Sequence, residues 1–157
     1  MPMAYKVREA TLPLLPKGSN EIKVLHFSDL HLTPNRRKEI SDIKSFIKLK
    51  PDLVISTGDF LAHKDAVLTA LDALDHLLDL PGLFVFGSND YHAPSFKNPF
   101  SYLRKDNGER KLGDKLPFEK LRKSLTKRGW IDLNHGKEII KVNGVKIEAR
   151  GTDDAHL

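Results

Sequence analysis

Leu53-Val54-Ile55-Ser56-Thr57-Gly58-Asp59 is a short apolar run that closes on a glycine and a carboxylate, and the chain repeats this design on either side. Upstream, Ile22-Lys23-Val24-Leu25-His26-Phe27 leads into Ser28-Asp29-Leu30-His31; downstream, Leu83-Phe84-Val85-Phe86 leads into Gly87-Ser88-Asn89-Asp90. Runs this short, mostly β-branched or aromatic, are typical of strands buried on both faces. Between the first two, Ile40, Ile43, Phe46, Ile47 and Leu49 recur at helical spacing until Pro51 stops them. Between the second and third, Val67, Leu68, Leu71, Leu74, Leu77 and Leu78 recur likewise, with Pro81-Gly82 as the stop. The order strand, helix, strand, helix, strand predicts an α/β fold. Its sheet should be parallel with right-handed crossovers, because a tight turn cannot return the chain to start a parallel neighbour.

Outward from this core the signals weaken. Tyr5–Leu12 alternates loosely and predicts an edge strand, closed by the turn-rich stretch from Pro13 to Asn20. Ala93 to Lys115 is polar and long for a connection. A helix from Pro117 to Arg128 follows, with Phe118, Leu121 and Leu125 on one face, then a strand from Gly129 to Leu133. Ile139–Val142, Asn143-Gly144 and Val145–Ala149 form a hairpin signature, since Asn-Gly supplies the positive φ of a type I′ turn.

The 157 residues, 39% hydrophobic and 30% charged, amount to one domain able to bury a core. The absence of cysteine excludes disulfides, thiolate metal sites and a cysteine nucleophile, so a metal must be held by His, Asp, Glu or Asn. No apolar run approaches the roughly 18 residues of a membrane span, and Met1–Gly18 lacks a signal-peptide pattern, so a cytoplasmic location is expected. The net charge of +5 is concentrated: Ser95–Arg128 carries eleven Lys and Arg against four acidic residues. Such a segment is either a solvated face or a contact for nucleic acid or polyphosphate, with Phe100 and Tyr102 beside Arg104 and Lys105 as stacking groups.

The chemistry gathers behind the three strands. In an open parallel sheet the loops after them lie at one carboxyl edge, where such folds bind ligands. Asp29, His31, Asp59, Ser88, Asn89 and Asp90 should therefore converge from distant positions. Carboxylate, imidazole and amide without thiolate suit Mn, Fe, Zn or a similar divalent ion, and two such ions can activate water and clamp a phosphoryl oxygen.

His26–His31, Val54–Asp59 and Val85–Tyr91 together resemble the calcineurin-like metallophosphoesterase superfamily, whose first blocks read Asp-x-His, Gly-Asp and Gly-Asn-His-Asp/Glu. The resemblance implies an αββα sandwich, here a partial one formed by residues 1–157 with a basic insertion and helix at 93–128. It also implies two divalent ions and hydrolysis of a phosphomonoester or phosphodiester. Asp29 and His31 would bind the first ion, and Asp59 would bridge both.

Two departures stand out. Ser88 occupies the position of the family's metal-binding Asn, and Asn89 that of its catalytic His, so Asn89 is a candidate ligand if the loop shifts by one residue. Asn cannot act as a general acid, which leaves His92 as the candidate proton donor. The chain also ends before the family's later His and Gly-His-x-His blocks, and its later histidines, His135 and His156, stand in no such block. This predicts a fragment of a longer enzyme, or a homodimer, with a non-catalytic binding module as the alternative function. His26 is expected to be packed and hydrogen-bonded within its strand, and His63 and His76 to lie at the surface.

Overall fold

The computed structural model describes residues 5–93 and 113–154. Along the chain run β1 (Val24–Phe27), α1 (Arg37–Ser45), β2 (Leu53–Ser56), α2 (Val67–Leu74), β3 (Gly82–Phe84) and α3 (Ser88–Tyr91). These are followed by α4 (Phe118–Lys127), β4 (Ile131–Asp132), β5 (Lys137–Val142) and β6 (Val145–Arg150). The first four strands form one parallel sheet in the order β1-β2-β3-β4, and β5 with β6 forms a separate antiparallel hairpin.

The continuous apolar character of the core strands follows from the two layers that cover them. Val54, Phe84 and Phe27 face α1, α2 and α4 and join Ile43, Phe46, Leu74, Leu121, Leu125 and Trp130 in the larger core. Their neighbours Leu53 and Leu83, with Leu133, face the other way and pack against Val142, Ile140, Ile147 and Ala149 of the hairpin. Alternate residues thus enter different cores, which is the period-2 geometry of a strand. The hairpin sits over the inner strands, and Val24 on edge strand β1 stays 45% exposed. Asn143 and Gly144 have φ of 48° and 86°, as an Asn-Gly type I′ turn requires.

The structure departs from the sequence expectations at several boundaries. Tyr5–Leu12 is not a strand: the chain is largely exposed there and makes no ladder among the described residues. It is tethered by Tyr5, whose ring meets Phe46 edge-on with centroids 6.1 Å apart. α1 stops at Ser45 and tightens into a 3-10 turn over Phe46–Leu49. α2 stops at Leu74, yet Leu77 and Leu78 in the following turns are buried, because apolar spacing reports burial and not helix length. β3 ends at Phe84, after which Val85 donates one further bond to the Ser56 carbonyl at 3.1 Å. The short helix α3 carries no apolar periodicity, so nothing in the sequence predicts it. No helix among the described residues is long and apolar enough to cross a membrane.

Candidate metal centre

The loops leaving β1 and β2 run side by side and bond to each other instead of to the sheet. The Asp29 N–H donates to the Gly58 carbonyl at 3.1 Å, His31 to Asp59 at 2.9 Å and Leu32 to Phe60 at 2.8 Å. In this ladder Asp29, His31 and Asp59 all adopt left-handed backbone, with φ of 58°, 44° and 58°. Non-glycine residues there are strained by about 1 kcal/mol or more each, and such strain gathers at functional sites. Lys50, His135 and Asn143 share this conformation in turns elsewhere, so it is the gathering of three such residues in one ladder that marks the site. One ligand atom from each lies within 4.8 Å of the others. His31 Nε2 is 3.5 Å from Asp29 Oδ1 and 3.8 Å from Asp59 Oδ2.

The third loop holds Asp59 in place. Asn89 donates its backbone N–H to Asp59 Oδ1 at 3.1 Å and its side-chain amide to Asp59 Oδ2 at 2.7 Å. Asp90 is fully buried and accepts three backbone N–H groups, from Asp59 at 2.8 Å, Leu61 at 3.0 Å and Gly87 at 3.1 Å. Burial pushes its carboxyl up to about 7; the N–H donors from Gly87, Leu61 and Asp59 oppose the rise, and the nearby Asp59 charge adds to it. Asp90 is thus a knot between the second and third loops, a role that sequence reading did not separate from that of the exposed carboxylates.

Close backbone approach completes the geometry. A Cβ on Gly58, which has φ of 99°, would strike the Gly87 backbone, and a Cβ on Gly87 would fall on the Asp59 carboxylate. Gly87 itself has φ of −108°, open to any residue, so Gly87→Ala is a steric probe of the Asp59 position. It should weaken Mn2+ binding by about 10-fold or more, measured by titration calorimetry, because the carboxylate must give way to the methyl group. An unchanged affinity would mean that Asp59 does not hold the ion.

Three loops and the segment after β6 line an open, shallow cleft of about 340 Å³, to which Asp29, Thr57, Asp59 and Ser88 contribute together with Thr152, Asp153 and Asp154. The last three were not foreseen, since Gly151-Thr152-Asp153-Asp154 reads as a turn. Tyr91, buried beside Phe118 and Phe86, donates its hydroxyl to Asp153 Oδ1 at 2.6 Å. Burial and that neighbouring carboxylate hold the phenol well above its usual range.

Ser88 lies at the cleft but outside the Asp29, His31 and Asp59 group. His92 is not joined to that group by any hydrogen bond or ion pair among the described residues; its backbone instead bridges antiparallel to Lys115. His26 is exposed and not packed, because the hairpin does not reach over β1, and its Nε2 meets Thr57 Oγ1 at 2.9 Å. His63, His76 and His135 are exposed. His156, Phe100, Tyr102 and the basic residues of 95–112 lie outside the described residues, and within α4 Lys120, Lys123 and Lys127 face solvent.

The donor set suits a divalent cation: two carboxylates and an imidazole with ligand atoms within 4.8 Å of one another, with an amide alongside and no thiolate. Comparison with known sequences agrees. The pattern of the calcineurin-like phosphoesterase family matches residues 22–156. A Bos taurus protein named "Transmembrane protein with metallophosphoesterase domain" is 31% identical over 106 residues, covering 65% of this chain and 24% of that protein. An "Uncharacterized metallophosphoesterase" of Aquifex aeolicus (strain VF5) is 32% identical over 98 residues, covering 58% of this chain and 36% of that protein. The chain therefore spans well under half the length of either relative.

Proposed function

Because the chain belongs to the calcineurin-like phosphoesterase family, we propose that it is part of a metal-dependent hydrolase of phosphate esters. The observation that carries this reading is the convergence of Asp29, His31 and Asp59 at the carboxyl edge of the sheet, with ligand atoms within 4.8 Å. Divalent ions of the Mn, Fe or Zn kind, two in the loaded state, supply water activation and neutralise the phosphoryl oxygens.

The chain's own residues do the rest by position. Asp29 and His31, presented by one left-handed turn, hold one ion. Asp59 offers two oxygens, of which Oδ2 lies 3.8 Å from His31 Nε2 and accepts the Asn89 side-chain amide, and a carboxylate with two oxygens is the candidate to be shared between two ions. Asn89 orients Asp59 through both of its N–H donors, leaving its carbonyl oxygen as a further ligand atom. Asp90 holds the left-handed backbone of Asp59 through its N–H and ties it to Leu61 and Gly87. The proposed chemistry assigns no step to His92.

Turnover of p-nitrophenyl phosphate by the purified chain tests the reading. Hydrolysis should depend on added Mn2+, vanish with a chelator and return when the ion is restored. Hydrolysis indifferent to the chelator, or none with any of Mn2+, Fe2+ and Zn2+, would overturn it for this chain.

A further inference from the structure

We infer that Tyr91 is a positioning residue that fixes the 151–154 loop as one wall of the substrate cleft. The meaning of that cleft rests on the phosphoesterase reading; the coupling itself does not. Two adjacent residues of α3 point in different directions and hold different loops. Asp90 gathers the backbone of Asp59, Leu61 and Gly87. Tyr91 reaches 62 residues along the chain to Asp153.

The ring is well anchored for this task. It is 6% exposed and packs at 4.6 Å from Phe118 and 6.0 Å from Phe86, while the Arg122 guanidinium stacks over both of those rings at 5.5 and 5.3 Å. Phenylalanine would satisfy that packing equally, so the hydroxyl is the part that needs a reason. It ends on Asp153 Oδ1, which also accepts the Asp154 N–H at 2.8 Å and thereby shapes the turn that lines the cleft. The other end of the loop is held at Gly151, whose N–H donates to the Gly136 carbonyl at 3.0 Å and whose Cα packs against Leu133 and Val85 with no room for a side chain. Between these anchors the loop lines the same open cleft as Asp29 and Asp59. Releasing the Tyr91 end should loosen the loop that lines the cleft and leave Asp59, which Asp90 and Asn89 hold, undisturbed.

Tyr91→Phe in the full chain tests this. KM for p-nitrophenyl phosphate should rise about 5- to 10-fold while kcat and Mn2+ affinity stay within about 2-fold, the pattern of lost ground-state positioning. Asp153→Ala should reproduce the effect, Asp153→Asn, which keeps an acceptor oxygen, should largely spare it, and the double variant Tyr91→Phe/Asp153→Ala should be no worse than either alone. In parallel, the Asp154 amide should exchange with solvent about 10-fold faster in Tyr91→Phe, with the amides of Asp59 and Leu61 unchanged. Unchanged KM, additive losses in the double variant, or unchanged Asp154 exchange would overturn the inference. Should the parent chain hydrolyse nothing with any of the three metals, the phosphoesterase reading fails alone, and Asp154 exchange decides the positioning role.

Discussion

Asp59→Asn should lower metal-dependent hydrolysis of p-nitrophenyl phosphate by at least about 100-fold and Mn2+ affinity by about 10- to 100-fold, the scale of losing a ligand or its orienting partner. The substitution is nearly isosteric, so shape is not at issue. What changes is charge and polarity: one carboxylate oxygen becomes an amide that faces the N–H donors of Asn89, which now bond to both oxygens at 3.1 and 2.7 Å. The negative charge beside His31 is lost as well. The fold should survive, because the Asp59 backbone is still held by its N–H to Asp90 and its carbonyl to His31. Urea unfolding should therefore show the variant within about 1 kcal/mol of the parent, comparable to one ordinary hydrogen bond. Retention of more than a tenth of the activity would remove Asp59 from the proposed machinery.

Asp90→Ala should act in the opposite sense, on stability first. Three backbone N–H groups lose their buried acceptor at once. At about 1–3 kcal/mol for each unsatisfied donor, and with water entering the space left behind, the expected cost is about 3–6 kcal/mol. That is a large part of the 5–15 kcal/mol that typically separates folded from unfolded domains. Urea unfolding followed by circular dichroism measures the shift, and a change below about 1 kcal/mol would contradict the knot, since even one lost buried acceptor should exceed it. Asp90→Asn keeps one acceptor oxygen and should fall between the two, which preserves the test if the alanine variant does not fold. The two residues thus separate cleanly: Asp59 is exposed to the cleft and expected to matter for chemistry, Asp90 is buried and expected to matter for the loops that present it.

Much of the site was legible in the sequence, for local reasons. Asp29, His31 and Asp59 each follow a short apolar run, and the rule that parallel strands present their carboxyl-end loops together is enough to bring them to one edge. The same rule located Asn89 near them, and the structure adds that its amide grips Asp59. Gly151-Thr152-Asp153-Asp154 gave no such signal, because its place at the cleft depends on where the hairpin packs against Leu53, Leu83 and Leu133. His26 is exposed for the same reason: its position in a strand is evident from the sequence, but whether another layer covers that strand is not. Tyr5–Leu12 shows the converse, a pattern that alternates well enough for a strand yet finds no strand to pair with among the described residues.

By itself, then, the sequence determined the order of strands and helices, the parallel sheet, the Asn-Gly hairpin and the edge at which the polar residues gather. Each of these follows from periodicity and punctuation within a dozen or so residues, which the chain carries wherever it is placed. Only the tertiary structure decided that Asp29, His31 and Asp59 take left-handed backbone, that Asp90 is a buried knot while Asp59 faces the cleft, and that Tyr91 reaches Asp153. Those are pairings of particular donors with particular acceptors across 30 and 62 residues of chain. An apolar pattern specifies that a residue is buried and leaves open which partner it meets there, because the hydrophobic effect has no direction and hydrogen bonds do.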